Sequence, residues 1–195
     1  FGNNDTPGVV LASAAKEYLK VYGVLVGKKP LIFTNNDSAY ETAIEFKKNG
    51  IWPVVVDSRK NPDSEMINEA KNMGIEIKFS HVVVSAKGYK KVKSADIAKI
   101  SENKKELSKI ENISCDCICV SGFWTPTIHL ASQSGNKTKF NEKIDAFVPG
   151  ISKQNEKTIG AANGSFLLED TLKSSFEAGI QVSKKITNND NKISF

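Results

Sequence analysis

Residues 30–57 confine the chain to a narrow set of folds. Lys28, Lys29 and Pro30 precede a short apolar run, Leu31-Ile32-Phe33, which reads as a buried strand. Thr34-Asn35-Asn36-Asp37-Ser38 is a cluster of turn and helix-capping residues. Ala39 to Asn49 has helical spacing, with Ala43, Ile44 and Phe46 inward, Lys47 and Lys48 outward, and Gly50 as the stop. Trp52 to Val56 is a second strand, and Asp57 ends it. Strand, tight turn, helix, strand and acid make a βαβ unit of about 28 residues, the size of a mononucleotide-binding half.

The flanking segments extend this unit. Thr6-Pro7-Gly8 marks a turn, and residues 9–22 place Val10, Ala14, Leu19 and Tyr22 at helical spacing, with Gly23 as a stop. A second helix is expected over residues 63–73, capped by Asp63 or Ser64 and stopped by Gly74. Residues 75–86 are β-rich, Lys87-Gly88-Tyr89-Lys90 is a turn, and residues 92–100 alternate as a strand. The charged stretch 101–111 is expected at a hairpin tip, and residues 113–120 as one more strand. Residues 127–157 read as irregular, residues 158–164 as a short strand entering a glycine turn, and residues 167–185 as a long amphipathic helix. The fold class is therefore α/β: a Rossmann-like parallel sheet with a β-meander laid across it. The expected division is an entering segment with a helix over 1–29, a Rossmann-like domain over 30–126, and a return segment with a C-terminal helix over 127–195.

Charge and composition exclude several classes. A net charge of +5 invites a nucleic-acid partner, but the chain has one arginine, Arg59, against 26 lysines. Arginine is the fork that reads guanine and clamps phosphate, so a dispersed lysine surface points away from nucleic acid. No stretch reaches the roughly 18 apolar residues of a membrane helix, so no membrane partner is expected. The first residues, FGNNDTPG, are polar and turn-forming rather than a signal peptide, and a first residue Phe points to a piece of a longer protein. Three cysteines, an odd number, make no disulfide framework, which favours a cytoplasmic location.

The candidate chemistry is sparse. The loop Thr34 to Ser38 lies where a strand feeds a helix N-terminus, a ready anion site, yet it has none of the glycines of a G-x-G-x-x-G fingerprint. Asn35, Asn36 and Asp37 would crowd a pyrophosphate, and Asp37 would repel it. Asp57 lies about 20 residues further on, where an acid can accept from an adenosine ribose hydroxyl or simply close a turn; Arg59 and Lys60 follow it. Ser121 and Gly122 end the last strand of the series, and Asn163-Gly164 precedes the long helix. Asp57, Ser121, Gly122, Asn163 and Gly164 form the candidate cofactor-binding set. Cys115, Cys117 and Cys119 alternate and are expected on one face of one strand, as small buried hydrophobes rather than a zinc site. His81 and His129 have no triad context, so the chain offers no catalytic residues and no metal ligands.

Several strings resemble a known family. Leu31-Ile32-Phe33-Thr34-Asn35-Asn36-Asp37-Ser38-Ala39-Tyr40, Val55-Val56-Asp57, Cys115-Asp116, Val120 through Leu130 (VSGFWTPTIHL), Phe147-Val148-Pro149-Gly150 and Gly160-Ala161-Ala162-Asn163-Gly164 resemble the alpha subunits of heterotetrameric sarcosine oxidases. The resemblance runs through nearly the whole chain. It implies a fragment, the second dinucleotide-binding-like domain of a disulfide-reductase-type fold plus the return into the first. The parent would oxidise sarcosine to glycine, with NAD in the first domain and FMN and FAD in the parent complex. Its partners would be the rest of the alpha subunit and the other subunits. No cofactor is expected on the isolated chain. A stand-alone nucleotide-binding module and a non-enzymatic scaffold are the alternatives, and the glycine-free loop counts against the first of them.

Overall fold

The structure is a computed structural model that describes residues 1–101 and 106–190, with side chains to residue 187. The chain folds as two compact units, residues 1–123 and 124–195.

In the first unit, β1 (Val9–Leu11), α1 (Ala12–Tyr22), β2 (Pro30–Thr34), α2 (Ser38–Lys48), β3 (Val54–Asp57), α3 (Glu65–Asn72) and β4 (Glu76–Phe79) follow one another. β8 (Cys117–Ser121) completes a five-stranded sheet in the order β1-β8-β2-β3-β4, and every pairing in it is parallel. The crossovers from β1 through β4 all step in one direction across the sheet. Right-handed connections then place α1, α2 and α3 on one face. The return to β8 runs the other way, through β5 (His81–Lys87), β6 (Ser94–Lys99) and β7 (Glu111–Ser114), an antiparallel meander on the opposite face.

Strand alternation builds both cores. Ile32, Val55, Cys117 and Cys119 pack with Ala12, Ala15, Tyr40, Ala43, Phe46, Ile67 and Ala70 of the helices. Leu31, Val56 and Ile118, each one residue out of step with those, pack with Val83, Val92, Ala95 and Ile97 under the meander. The parallel strands are covered on both faces, which is why they read as unbroken apolar runs. Thr42 Oγ1 donates to the Ala12 carbonyl at 3.0 Å, tying α2 to α1 through a fully buried pair. The Ser64 hydroxyl caps α3 by accepting from Ile67 N.

Two local expectations change. Residues 113–120 are not one strand. Ile113 belongs to β7 of the meander and Cys117 to β8 of the parallel sheet, with a break at Cys115-Asp116. The break is held because both Asp116 carboxylate oxygens accept main-chain N–H groups, from Lys28 at 2.8 Å and Lys29 at 2.7 Å. Residues 9–11, expected as the start of a helix, form β1 paired with β8, and α1 begins at Ala12 and packs on α2.

The second unit contains α4 (His129–Gln133), the hairpin β9 (Thr138–Asn141) and β10 (Ala146–Pro149), a 3-10 helix over Gly160–Asn163, and α5 (Leu168–Asp190). The stretch expected as irregular thus holds a short helix and a hairpin, whose Phe140 and Phe147 rings meet edge to face at 5.3 Å. The expected strand over 158–164 is a 3-10 turn instead, because three small residues close a tight turn on Gly160. Part of the expected hairpin tip over 101–111 lies outside the described residues. Among the described residues no helix is long and apolar enough to cross a membrane.

Candidate functional site

β2 is flanked on one side by β3, to which the chain proceeds through α2, and on the other by β8, to which it returns in the reverse direction after β4 and the meander. In open α/β sheets the crevice beyond the strand ends at this reversal is where ligands bind. Here it is bounded by the loop 34–38 after β2 and by Ser121-Gly122 after β8.

Asn36 occupies that crevice. Its Nδ2 donates to the Gly122 carbonyl at 2.5 Å and to Asn35 Oδ1 at 3.1 Å. Its Oδ1 accepts from Ser38 N at 3.1 Å, from Ser38 Oγ at 2.6 Å and from Ser121 Oγ at 3.4 Å. Ser38 is the first residue of α2, so the Asn36 carboxamide oxygen sits on the helix-N-terminal amide that a phosphate oxygen would use. Thr34 Oγ1 accepts from Asn36 N at 3.1 Å and donates to its carbonyl at 2.9 Å, which holds the loop in a tight turn.

Asp57 is fully buried and fully engaged. Its Oδ2 accepts from the Tyr40 hydroxyl at 2.8 Å and from Arg59 Nη2 at 2.8 Å. Its Oδ1 accepts from Arg59 N at 2.9 Å and Arg59 Nε at 3.1 Å. Arg59 Nη1 also pairs with Asp37 Oδ1 at 2.8 Å, so the one arginine bridges the end of β3 and the first turn of α2. Burial alone would lower the Arg59 value, but the hydrogen bonds to Asp57 and Asp37 outweigh it and hold the guanidinium charged. The Tyr40 hydroxyl is pushed well above its ordinary range, first by burial and then by its bond to Asp57. This network does what a ribose would otherwise do for the acid: it supplies every donor. Arg59 and Tyr40 were not legible as its partners from spacing alone, since Tyr40 reaches Asp57 only because α2 packs back over β3.

The remaining candidates divide. Ser121 and Gly122 stand at the crevice beside Asn36, and a side chain at Gly122 would enter open space. Asn163 and Gly164 belong to the second unit. Gly164 has φ +85°, and a Cβ there would meet Ile144 Cδ1 at 2.6 Å, so packing and turn geometry account for this glycine. Asn163 is exposed at the end of the 3-10 helix. His81 Nδ1 lies 2.6 Å from the Phe79 carbonyl, a local strand contact.

The three cysteines are buried and reduced. Cys117 and Cys119 share the helix-side core, whereas Cys115 lies on the meander side, because the chain breaks step at Asp116. Burial pushes the Cys115 thiol up to about 12, helped by Cys117 and Asp116. A hydrogen bond to Cys117 and burial raise Cys119. Thiolate is the reactive form, so at pH 8 a Cys115 thiol with such a value is ionised in only about one molecule in ten thousand. The native chain is expected to release no thiolate to Ellman's reagent over an hour, and three equivalents in denaturant. One fast equivalent under native conditions would contradict this burial. Among the described residues no group of three or more metal-ligating side chains is clustered.

No family model matches the chain. Among curated proteins it is 33% identical over 168 residues to the sarcosine oxidase alpha subunit of Corynebacterium sp. strain P-1, covering 85% of this chain and 17% of that protein. It is 34% identical over 164 residues to the sarcosine oxidase alpha subunit of Rhizobium meliloti strain 1021, covering 83% of this chain and 15% of that protein. Among solved structures, the flavoprotein disulfide reductase RclA of Escherichia coli superposes with a TM-score of 0.60 at 12% identity, over 88% of this chain and 38% of that one. The thioredoxin reductase of T. acidophilum gives 0.55 at 12% identity, over 80% and 53%. These structures establish the fold that the chain shares with those reductases: a parallel sheet with an antiparallel meander.

Proposed function

Since the chain is homologous to one segment of the sarcosine oxidase alpha subunits, spanning 15–17% of their length, we propose that it is the scaffold part of such a subunit. The parent polypeptide would take part in the oxidative demethylation of sarcosine to glycine. Residues 30–126 supply the body of a dinucleotide-binding-like domain, and residues 127–195 return the chain to a separate first domain that holds NAD. FMN and FAD belong to the assembled complex, and the remaining alpha-subunit segments and the other subunits are the partners. In this reading Asn163 and Gly164 approach the nucleotide of the first domain, while Asp57, Ser121 and Gly122 are structural residues of a domain that has closed its own cleft.

The single observation that carries this reading is the Asn36 carboxamide across the β2/β8 crevice. A pyrophosphate does not fit the loop 34–38. Its helix amide, the β8 carbonyl and the β3 acid are each already engaged by the chain's own groups, and no glycine lets an oxygen approach the backbone. The side chains of α5 give independent support for the return segment: Leu168, Leu172, Phe176 and Ile186 are more than half exposed along one stripe of the helix, as a helix made to pack on further chain would be.

Calorimetric titration tests the closed cleft. NAD and NADP added to this chain are expected to bind more weakly than ~100 μM. Tighter binding that is abolished by Ser38→Trp would place the dinucleotide in this cleft and overturn the reading.

A further inference from the structure

The opposite end of the parallel sheet, away from the crevice, is a second surface with its own chemistry. Two lysine-bearing segments meet there. The loop into β2 carries Lys28 and Lys29, and the β5–β6 turn carries Lys87, Lys90, Lys91 and Lys93, all exposed. Main-chain bonds hold the segments side by side: Asp116 N donates to the Lys29 carbonyl at 3.1 Å, Cys115 N to the Lys93 carbonyl at 3.3 Å, and Lys93 N to the Lys87 carbonyl at 2.8 Å. The turn is tight and requires its glycine, because a Cβ at Gly88 would lie 1.9 Å from the Lys91 carbonyl oxygen.

Six ammonium groups therefore lie on segments that two carboxylates, Asp96 and Asp116, are seen to contact. Asp96 pairs with Lys87 at 3.1 Å, and the Asp116 oxygens are taken by the main-chain N–H groups of Lys28 and Lys29. Among the described residues no carboxylate lies within ion-pair distance of Lys28, Lys29, Lys90, Lys91 or Lys93. Beside this edge a cavity of about 170 Å³ opens between Lys29, Pro30, Trp52, Val54, Ile113 and Cys115. Trp52 is 70% exposed, and the Lys47 ammonium lies over its ring. Exposed cations next to a partly apolar notch, walled by Pro30, Trp52, Val54 and Ile113, match one kind of ligand: a chain with several carboxylates and one apolar side chain to fill the notch.

We propose that this basic edge docks an acidic polypeptide segment, with an apolar residue seated in the notch beside Trp52. A nucleic acid is the less fitting anion. The chain's one arginine is spent on Asp57 and Asp37, so no planar fork remains to hold a phosphate in two places. The proposal is independent of the cofactor cleft, which lies at the other end of the strands.

The probe is a fluorescein-labelled peptide of about ten residues, all glutamate except one central leucine, followed by fluorescence anisotropy on the full chain. Binding is expected to weaken at least about tenfold between about 50 mM and 300 mM salt, as screening shortens the reach of exposed charges. The triple variant Lys90→Gln/Lys91→Gln/Lys93→Gln is expected to lose about fivefold or more at low salt, with an unchanged thermal midpoint because all three side chains are exposed. Trp52→Ala, or a peptide with serine in place of leucine, is expected to lose about threefold or more at the higher salt. A single-stranded oligothymidylate of equal charge that binds as tightly as the peptide would assign the edge to nucleic acid and overturn the proposal. No peptide binding tighter than about 1 mM, or equal binding by the triple variant, would overturn it as well.

Discussion

Arg59→Leu is expected to cost about 3 kcal/mol of folding stability, the largest loss from any single surface-reaching residue in the first unit. The reason is what it leaves behind. Asp57 has no exposed surface and would keep only the Tyr40 hydroxyl and one main-chain N–H as donors. Breaking a buried ion pair from one side costs about 3–5 kcal/mol, and the low end applies because the Arg59 side chain is 29% exposed. For a chain of this length that is a fall of roughly 6–12 °C in melting temperature. Urea denaturation of the variant measures it. The double variant Arg59→Leu/Asp57→Asn is expected to recover about half of the loss, since the stranded charge is gone. A double variant as unstable as the sum of its singles would show that the two residues do not act on each other.

Gly27→Ala is the second large effect, and its cause is close approach rather than charge. A methyl at Gly27 would lie 2.5 Å from Cys117 Sγ, 2.6 Å from Asp116 Oδ1 and 3.0 Å from Cys117 Cβ. Cys117 is fully buried in β8, an interior strand of the sheet, and Asp116 is pinned by two main-chain N–H groups, so neither side can yield cheaply. Overpacking of this kind costs about 1–3 kcal/mol. Cys117→Ala in the same background is expected to restore part of it by making room for the methyl. A Gly27→Ala protein with a wild-type denaturation midpoint would show that the loop before β2 can shift away from β8.

The strand, turn, helix, strand unit of residues 30–57 was legible because its signals are local. An apolar run too short for a helix, a cluster of capping side chains and a glycine stop each act within a few residues, and β2, α2 and β3 form where those signals lie. The missing glycines of the loop 34–38 were equally plain, since the absence of a residue type needs no coordinates. Asp57 was singled out by spacing, but its partners were not: the Tyr40 hydroxyl reaches it only when α2 packs over β3, and Arg59 folds back on it in the turn after β3. The break at Cys115-Asp116 was invisible for a similar reason. Alternating small and apolar residues from Ile113 to Val120 satisfy the period of one strand, and nothing local says that two sheets divide it.

By itself, then, the sequence determined the element types at residues 30–57, the parallel pairing of β2 with β3, and a loop without the glycines of a dinucleotide fingerprint, because propensity, capping and residue type are short-range properties. The tertiary structure decided the rest: that residues 9–11 form the edge strand beside β8, that Cys115 faces the meander while Cys117 and Cys119 face the helices, and that Asn36 spans the crevice to Gly122. Each of these depends on which segments, distant along the chain, are brought within a hydrogen bond of one another, and that is set by the right-handed crossovers and the burial of two apolar sheet faces at once.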